Sequence, residues 1–173
     1  TDLLGWVIER ATGRRYADLA GELFWRPLGA ERAAYITVDR FGAPRCAGGF
    51  CATTRDLARV GQLLVQDGQR DGRQIISEAA IRDLETGGDP AAWDRGDFVP
   101  YFDGMPISYR NQWYSLGGDS PMLFGVGVFG QHLFVDRARQ VVIAKFASQA
   151  LPMDSERLLL TMRGVAAIRA WLG

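Results

Sequence analysis

Lysine is nearly missing from this sequence. Lys145 is the only one, so all but one of the 20 basic residues are arginine. That bias reads as genome composition rather than recognition, since no basic run is long enough to make a nucleic-acid patch. The formal net charge is zero, which implies no polyanionic partner. Histidine is just as scarce. His132 stands alone, and Cys46 and Cys51 are the only cysteines. A zinc site needs about four ligands, so this set does not make one. Two cysteines flanking Ala47–Phe50 are no disulfide framework, and a bridge there would close a very small loop. They read as free thiols, which suits a reducing cytoplasm. No apolar run approaches the roughly 20 residues of a membrane span, and no signal peptide is visible. These absences leave the expectation of no cofactor, no metal, no nucleic acid and no membrane.

What is present fits a single globular unit. The 173 residues are 47% hydrophobic and 23% charged, enough apolar content to bury a core. Leu3, Leu4, Val7, Ile8 and Ala11 fall on one face of a helix over residues 2–12, with Gly13 as its stop. Tyr16–Trp25 reads as a second helix with Leu19, Leu23 and Phe24 inward, ended by Pro27. Ala34–Val38 is a short strand candidate, and Cys46–Ala52 a glycine-rich loop. Thr53 or Thr54 caps a helix to about Gln66, with Leu57, Val60, Gly61, Leu63 and Leu64 inward. Asp71-Gly72 is a turn. Ser77 caps a helix that carries Ile81 and Leu84 and ends at Gly87-Gly88.

Asp89–Asn111 has no periodicity but is rich in proline and aromatics, as a packed functional loop would be. Gln112–Leu116 is a strand candidate. Gly125–Ser148 reads as a hairpin: one strand over Val126–Val135, broken by glycines, and a second over Val141–Phe146. Glycines 125, 127 and 130 weaken a strand, and such glycines mark places where a ligand or another backbone comes close. A last helix runs from Asp154 or Ser155 to Leu172. Helices, then strands, then a closing helix give an α+β pattern. Only about three strands are visible. So small a sheet leaves apolar surface uncovered, and the expectation is that strands and helices lie upstream of Thr1.

Four ordered stretches carry a resemblance: TDLLGWVIERATGRRYADLAGELFWRPLGA, AGGFCATTRDLARVGQLLVQDG, YRNQWYSLGG and GVFGQHLFVDRARQVVIAKFAS. Together they resemble the serine β-lactamase-like hydrolases, which include class C β-lactamases, DD-peptidases and esterases. The wording is closest to the 6-aminohexanoate-dimer hydrolase branch. The resemblance implies a β-lactamase/transpeptidase-like fold, of which residues 1–173 are the C-terminal portion of one domain. It also implies acyl transfer, in which a serine of an S-x-x-K motif attacks an ester or amide and a lysine and tyrosine move protons.

None of the six serines (77, 108, 115, 120, 148 and 155) is followed three positions on by lysine. The family's tyrosine falls before the first helix, upstream of Thr1. Tyr109-Arg110-Asn111 copies its Y-x-N pattern but precedes the last strands, so it is set aside as catalytic, and Tyr109 is kept as a lining residue. His132 with Asp136 lacks a serine in a nucleophile elbow and reads as a surface or satisfied histidine. Lys145, in mid-strand, is expected to face solvent.

The family's K-T-G triad aligns with Gly125-Val126-Gly127. The basic side chain of β-lactamases is absent there, which weighs against a penicillin-binding relative. The residue after the last glycine would be Val128, whose backbone N–H becomes an oxyanion donor. Gly125 and Gly127 leave room for substrate, and Trp113 and Tyr114 are expected either to flank an acyl pocket or to serve as core aromatics under the long loop. The resulting expectation is the C-terminal part of an amidase or esterase, inactive alone and prone to self-association through an uncovered sheet. The alternative is a non-catalytic binding or structural module.

Overall fold

The structure, a computed structural model, describes residues 1–102 and 104–172. Helix α1 (Asp2–Thr12) ends on Gly13, whose φ of 65° lets its N–H return to Glu9 O at 2.9 Å. Its predicted inward residues Leu3, Leu4, Val7 and Ile8 are all exposed. The period gives the helix correctly, but nothing among the described residues covers that face.

Helix α2 (Tyr16–Ala20) runs directly into a π-helical turn over Gly21–Trp25. A π turn takes an extra residue per hydrogen-bonded loop. The inward position therefore slips past Leu23, which is exposed, to Trp25, which is buried and donates through Nε1 to Arg32 O at 2.9 Å. Strand β1 (Tyr35–Ile36) pairs antiparallel with β2 (Phe50–Cys51). So part of the Cys46–Ala52 stretch is a strand, one too short to show alternation.

Thr53 caps α3 (Thr54–Val65), its hydroxyl accepting from Asp56 N. A small hairpin follows, β3 (Gln69–Arg70) and β4 (Arg73–Gln74), around Asp71-Gly72. Ser77 caps α4 (Glu78–Thr86), and Asp89 caps the short α5 (Pro90–Trp93). The sheet then forms from β5 (Ile107–Arg110), β6 (Trp113–Leu116), β7 (Met122–Gly127), β8 (Gln131–Asp136) and β9 (Val141–Lys145), all antiparallel and in that order. Helix α6 (Ser155–Leu172) closes the chain.

Two sequence expectations fail here for the same reason, hidden turns. The strand expected over Val126–Val135 is two strands. Phe129 (φ 59°) and Gly130 (φ 89°) reverse the chain between Gly127 and Gln131. Val128 and Phe129 are good strand formers, so composition conceals the reversal. Likewise Asn111 and Gln112 both have positive φ, the pattern of a two-residue hairpin turn, and join β5 to β6.

The sheet has two unlike faces. Tyr109, Tyr114, Phe124, Phe134 and Ile143 lie in register across all five strands on one face. Phe102 and the α6 residues Leu158, Met162 and Val165 cover that face. The other face carries Leu123, Leu133, Val135 and Val142 under Leu64 of α3 and Ile81 of α4. Helix α3 comes close because residue 61 is glycine: a Cβ there would lie 2.5 Å from Val142 Cγ1. Helix α6 is locked down by Arg169, which reaches buried Asp136 at 2.6 Å.

Candidate functional site

The site is built at one end of β7. Strand β7 delivers Gly125, Val126 and Gly127 to the sheet's end, and the chain then turns over Val128–Gly130 into β8. Val128 is more than half exposed, and its N–H makes no turn, cap or loop backbone hydrogen bond among the described residues. The neighbouring groups are held. Phe129 N–H donates to Pro152 O at 2.9 Å, and Phe129 O accepts from Gln149 N at 3.1 Å.

The glycines do not play equal parts. A Cβ at Gly125 would meet nothing within 4 Å, so the space over that residue is open. A Cβ at Gly127 would lie 3.0 Å from Gln131 Cβ and 3.1 Å from Gln131 O. Gly127 is therefore needed first by its own hairpin, and not only by whatever approaches from outside.

Trp113 and Tyr114, expected to flank one pocket, are split. Successive strand residues point to opposite faces. Trp113 packs with Leu123 and Leu133, and continuing the Tyr114–Phe124 register brings it beside Gly125 on the same face. Tyr114 faces the other way, stacking on Phe124 at 5.1 Å. There it joins Tyr109, Trp93 and Phe98 around an open cleft of about 500 Å³. Burial pushes the Tyr114 phenol up to about 12, with Tyr109 adding to the effect. The aromatic cleft and the Gly125 surface are thus on opposite sides of the sheet.

The Y-x-N segment has a structural role. Arg110 forks onto Asp83 of α4 at 2.9 and 3.0 Å, and Asn111 Nδ2 reaches the same carboxylate at 2.8 Å. These contacts pin the β5–β6 turn to α4. They also hold the Asp83 carboxyl below its ordinary value, chiefly through the Arg110 hydrogen bonds.

His132 is not the surface or satisfied histidine expected. It is buried, its Nδ1 has no partner, and its ring meets Phe134 edge-on at 5.8 Å. Burial, aided by the Lys145 charge, pushes it down to about 4, so it is neutral near pH 7. It has no Asp136 to work with, because that carboxylate is occupied by Arg169 and Arg139. Lys145, expected in solvent, is half-buried, and its Nζ donates to Gly130 O at 3.3 Å.

Sequence reasoning missed Asp56 altogether. Its fully buried carboxylate accepts the N–H groups of Glu31 (2.8 Å) and Arg32 (3.2 Å), the Thr53 hydroxyl (2.8 Å) and Arg59 (2.7 Å). Burial pushes this carboxyl up, but the donors outweigh it and the net shift is downward. The signal available was an acid three residues after a capping threonine.

Among the described residues, no cluster of three or more His, Cys, Asp or Glu could hold a metal ion, and no helix is long and apolar enough to cross a membrane. Both cysteines are free thiols.

The family model described as Beta-lactamase matches residues 1–167. A 6-aminohexanoate-dimer hydrolase of Paenarthrobacter ureafaciens is 36% identical over 148 residues, covering 86% of this chain and 37% of that protein. A solved structure described as "Putative 6-aminohexanoate-dimer hydrolase from Bacillus anthracis" superimposes with a TM-score of 0.84 at 29% identity, covering 99% of this chain and 42% of that one. A "putative beta-lactamase" from Bacteroides dorei DSM 17855 shares the fold at a TM-score of 0.55 and 17% identity, over 87% of this chain and 50% of that one. The chain therefore spans half or less of the length of each of these proteins.

Proposed function

Because the chain belongs to the beta-lactamase family, we propose that it is the C-terminal portion of one domain of a serine hydrolase that cleaves amide or ester bonds. Its relatives named as 6-aminohexanoate-dimer hydrolases favour a short amide over a β-lactam. The residues at the triad position agree, since Gly125-Val126-Gly127 offers no cation for a β-lactam carboxylate.

The observation that carries the reading is the Val128 N–H. It stands in an exposed turn with no turn or loop partner, three residues after Gly125, which has open space above it. When a serine attacks a carbonyl, the oxygen gains negative charge. A fixed backbone donor stabilises that charge without any reorganisation at the moment of reaction. Gly125 lets the scissile group lie close to β7, and Trp113 forms an apolar wall beside it. The serine, lysine and tyrosine would come from sequence outside these residues. The cleft around Tyr109 and Tyr114 lies on the far face and takes no part in this step.

Val128→Pro in the nucleophile-bearing protein tests this. Proline removes the donor, and one lost oxyanion donor costs about 3 kcal/mol, or ~10²–10³ in kcat. Val128→Ala keeps the N–H and should keep most of the rate. Circular dichroism checks that the proline variant is folded, since proline also fixes φ. An undiminished kcat/KM in a folded Val128→Pro enzyme would remove the oxyanion role.

A binding or structural module is the second reading, favoured by the lack of any S-x-x-K within the 173 residues. A fluorophosphonate that labels a serine in the nucleophile-bearing protein, but not in residues 1–173 alone, decides for the hydrolase.

A further inference from the structure

We propose that Gln131 and Lys145 are positioning residues that hold the Val128–Gly130 turn in the shape that aims the Val128 N–H; the inference rests on the oxyanion reading above. The turn is not one the backbone would keep by itself. Phe129 sits at φ 59°, ψ 20°, left-handed space that bulky residues rarely occupy, and Gly130 follows at φ 89°. Such conformations persist only where the surroundings over-determine them.

The surroundings here are specific. The Gln131 side-chain amide donates to Ala147 O at 2.5 Å and to Phe129 O at 3.3 Å, tying the turn to the segment after β9. That segment also holds Phe129 through Gln149 N and Pro152 O. It lies so close that a Cβ on Gly130 would come 2.7 Å from Gln149 Cδ and 3.1 Å from Ala147 Cβ. Gly130 O is taken by Lys145 Nζ at 3.3 Å.

The identity of residue 145 supports the assignment. Every ion pair among the described residues uses arginine, and Lys145 makes none. A guanidinium is a planar fork suited to carboxylates, whereas an ammonium is a compact point charge that can donate to a single carbonyl. The one lysine of the sequence stands where a single carbonyl needs a donor. Its cross-strand partner His132 is buried and neutral, and so does not compete for that carbonyl with a second charge.

The test uses the nucleophile-bearing enzyme with Lys145→Met, Gln131→Met and Lys145→Arg. Methionine keeps the apolar stem and removes the donor, and arginine restores a donor. Each methionine variant should lose about tenfold in kcat on a short amide with KM little changed, the mark of an interaction made in the transition state. Affinity for a boronic acid, whose tetrahedral serine adduct places an oxygen at the same donor, should fall by the same factor. Lys145→Arg, which restores a donor but as a planar fork less suited to one carbonyl, should recover only part of the loss.

Unchanged kcat and boronate affinity in both methionine variants would overturn the inference, as would a loss in KM alone or no recovery with arginine. If Lys145→Met does not fold, Gln131→Met decides by the same readouts. Val128→Pro separates the two levels. If it leaves activity intact, the oxyanion reading itself fails. If it removes activity while the methionine variants are unaffected, only the positioning role fails.

Discussion

Arg169→Met should be among the most damaging single changes away from the site. The Arg169 guanidinium donates from Nε to Asp136 at 2.6 Å and from Nη2 to the carbonyls of Ser120 (3.1 Å) and Pro121 (3.0 Å). It joins α6, the end of β8 and the turn before β7 through one buried group. Removing one partner of a buried ion pair costs about 3–5 kcal/mol, because the other charge is left without compensation. Arg139 remains on Asp136, through its backbone N–H at 2.9 Å and its side chain at 3.2 Å. The loss should therefore sit at the low end, about 3 kcal/mol, which lowers the melting temperature of a domain this size by about 6–12 °C.

The same group has a pH signature. Burial pushes the Asp136 carboxyl up, but the Arg139 N–H and the Arg169 and Arg139 guanidinium groups outweigh it and hold it low. A lowered folded value means stability that is present above the ordinary carboxylate pKa of about 3.9 and lost as pH falls through the folded value. In Arg169→Met the acid transition should move to higher pH. Urea unfolding at pH 7 and pH 3 measures both effects. A loss below about 1 kcal/mol at pH 7 would refute the claim that this pair locks α6 to the sheet.

Further outcomes are expected elsewhere. Gly61→Ala places a Cβ 2.5 Å from Val142 Cγ1 and 3.2 Å from Leu133 Cδ1. Overpacking of this kind costs about 1–3 kcal/mol, readable as a lowered urea midpoint. His132, pushed down to about 4, contributes stability that is present above about 6.5 and lost as pH falls towards 4. Its ring protons in NMR should show no titration near pH 6.5, and His132→Phe should flatten stability over that interval. Residues 1–173 alone expose Leu3, Leu4, Val7 and Ile8 on α1 and Leu160, Ile168 and Trp171 on α6. They should self-associate in sedimentation; a single monomeric species at all concentrations would count against it.

The sequence exposed its helices well and its turns badly. Gly13, Thr53 and Ser77 are local signals, because a cap depends on residues within one turn of each other, and the structure places helix ends at all three. Strands β5 and β7 were hidden, since Asn111, Gln112 and Phe129 adopt positive φ without the glycine that announces it. The outward Leu23 follows from a π turn, which shifts the helical period without changing composition. Gly125-Val126-Gly127 and Val128 come forward only as candidates, from glycine spacing and the family resemblance. Gln131 and Lys145 do not, because their proposed role depends on three carbonyls that the fold brings within reach. Trp113 and Tyr114 are neighbours in sequence, and adjacency along a strand sends their side chains to opposite faces.

The five-stranded sheet is a meander in which every strand pairs with its neighbour in sequence. Each pairing needs only a short loop to close, so little chain entropy is lost before contacts form. The three strands from Met122 to Lys145, which include the Val128 turn, can therefore assemble from their own residues. Helix α3 has to return across more than 50 positions to meet β8 and β9. The turn proposed to hold the oxyanion belongs to the fast, local part of the folding reaction, and the packing that makes it permanent belongs to the slow, long-range part.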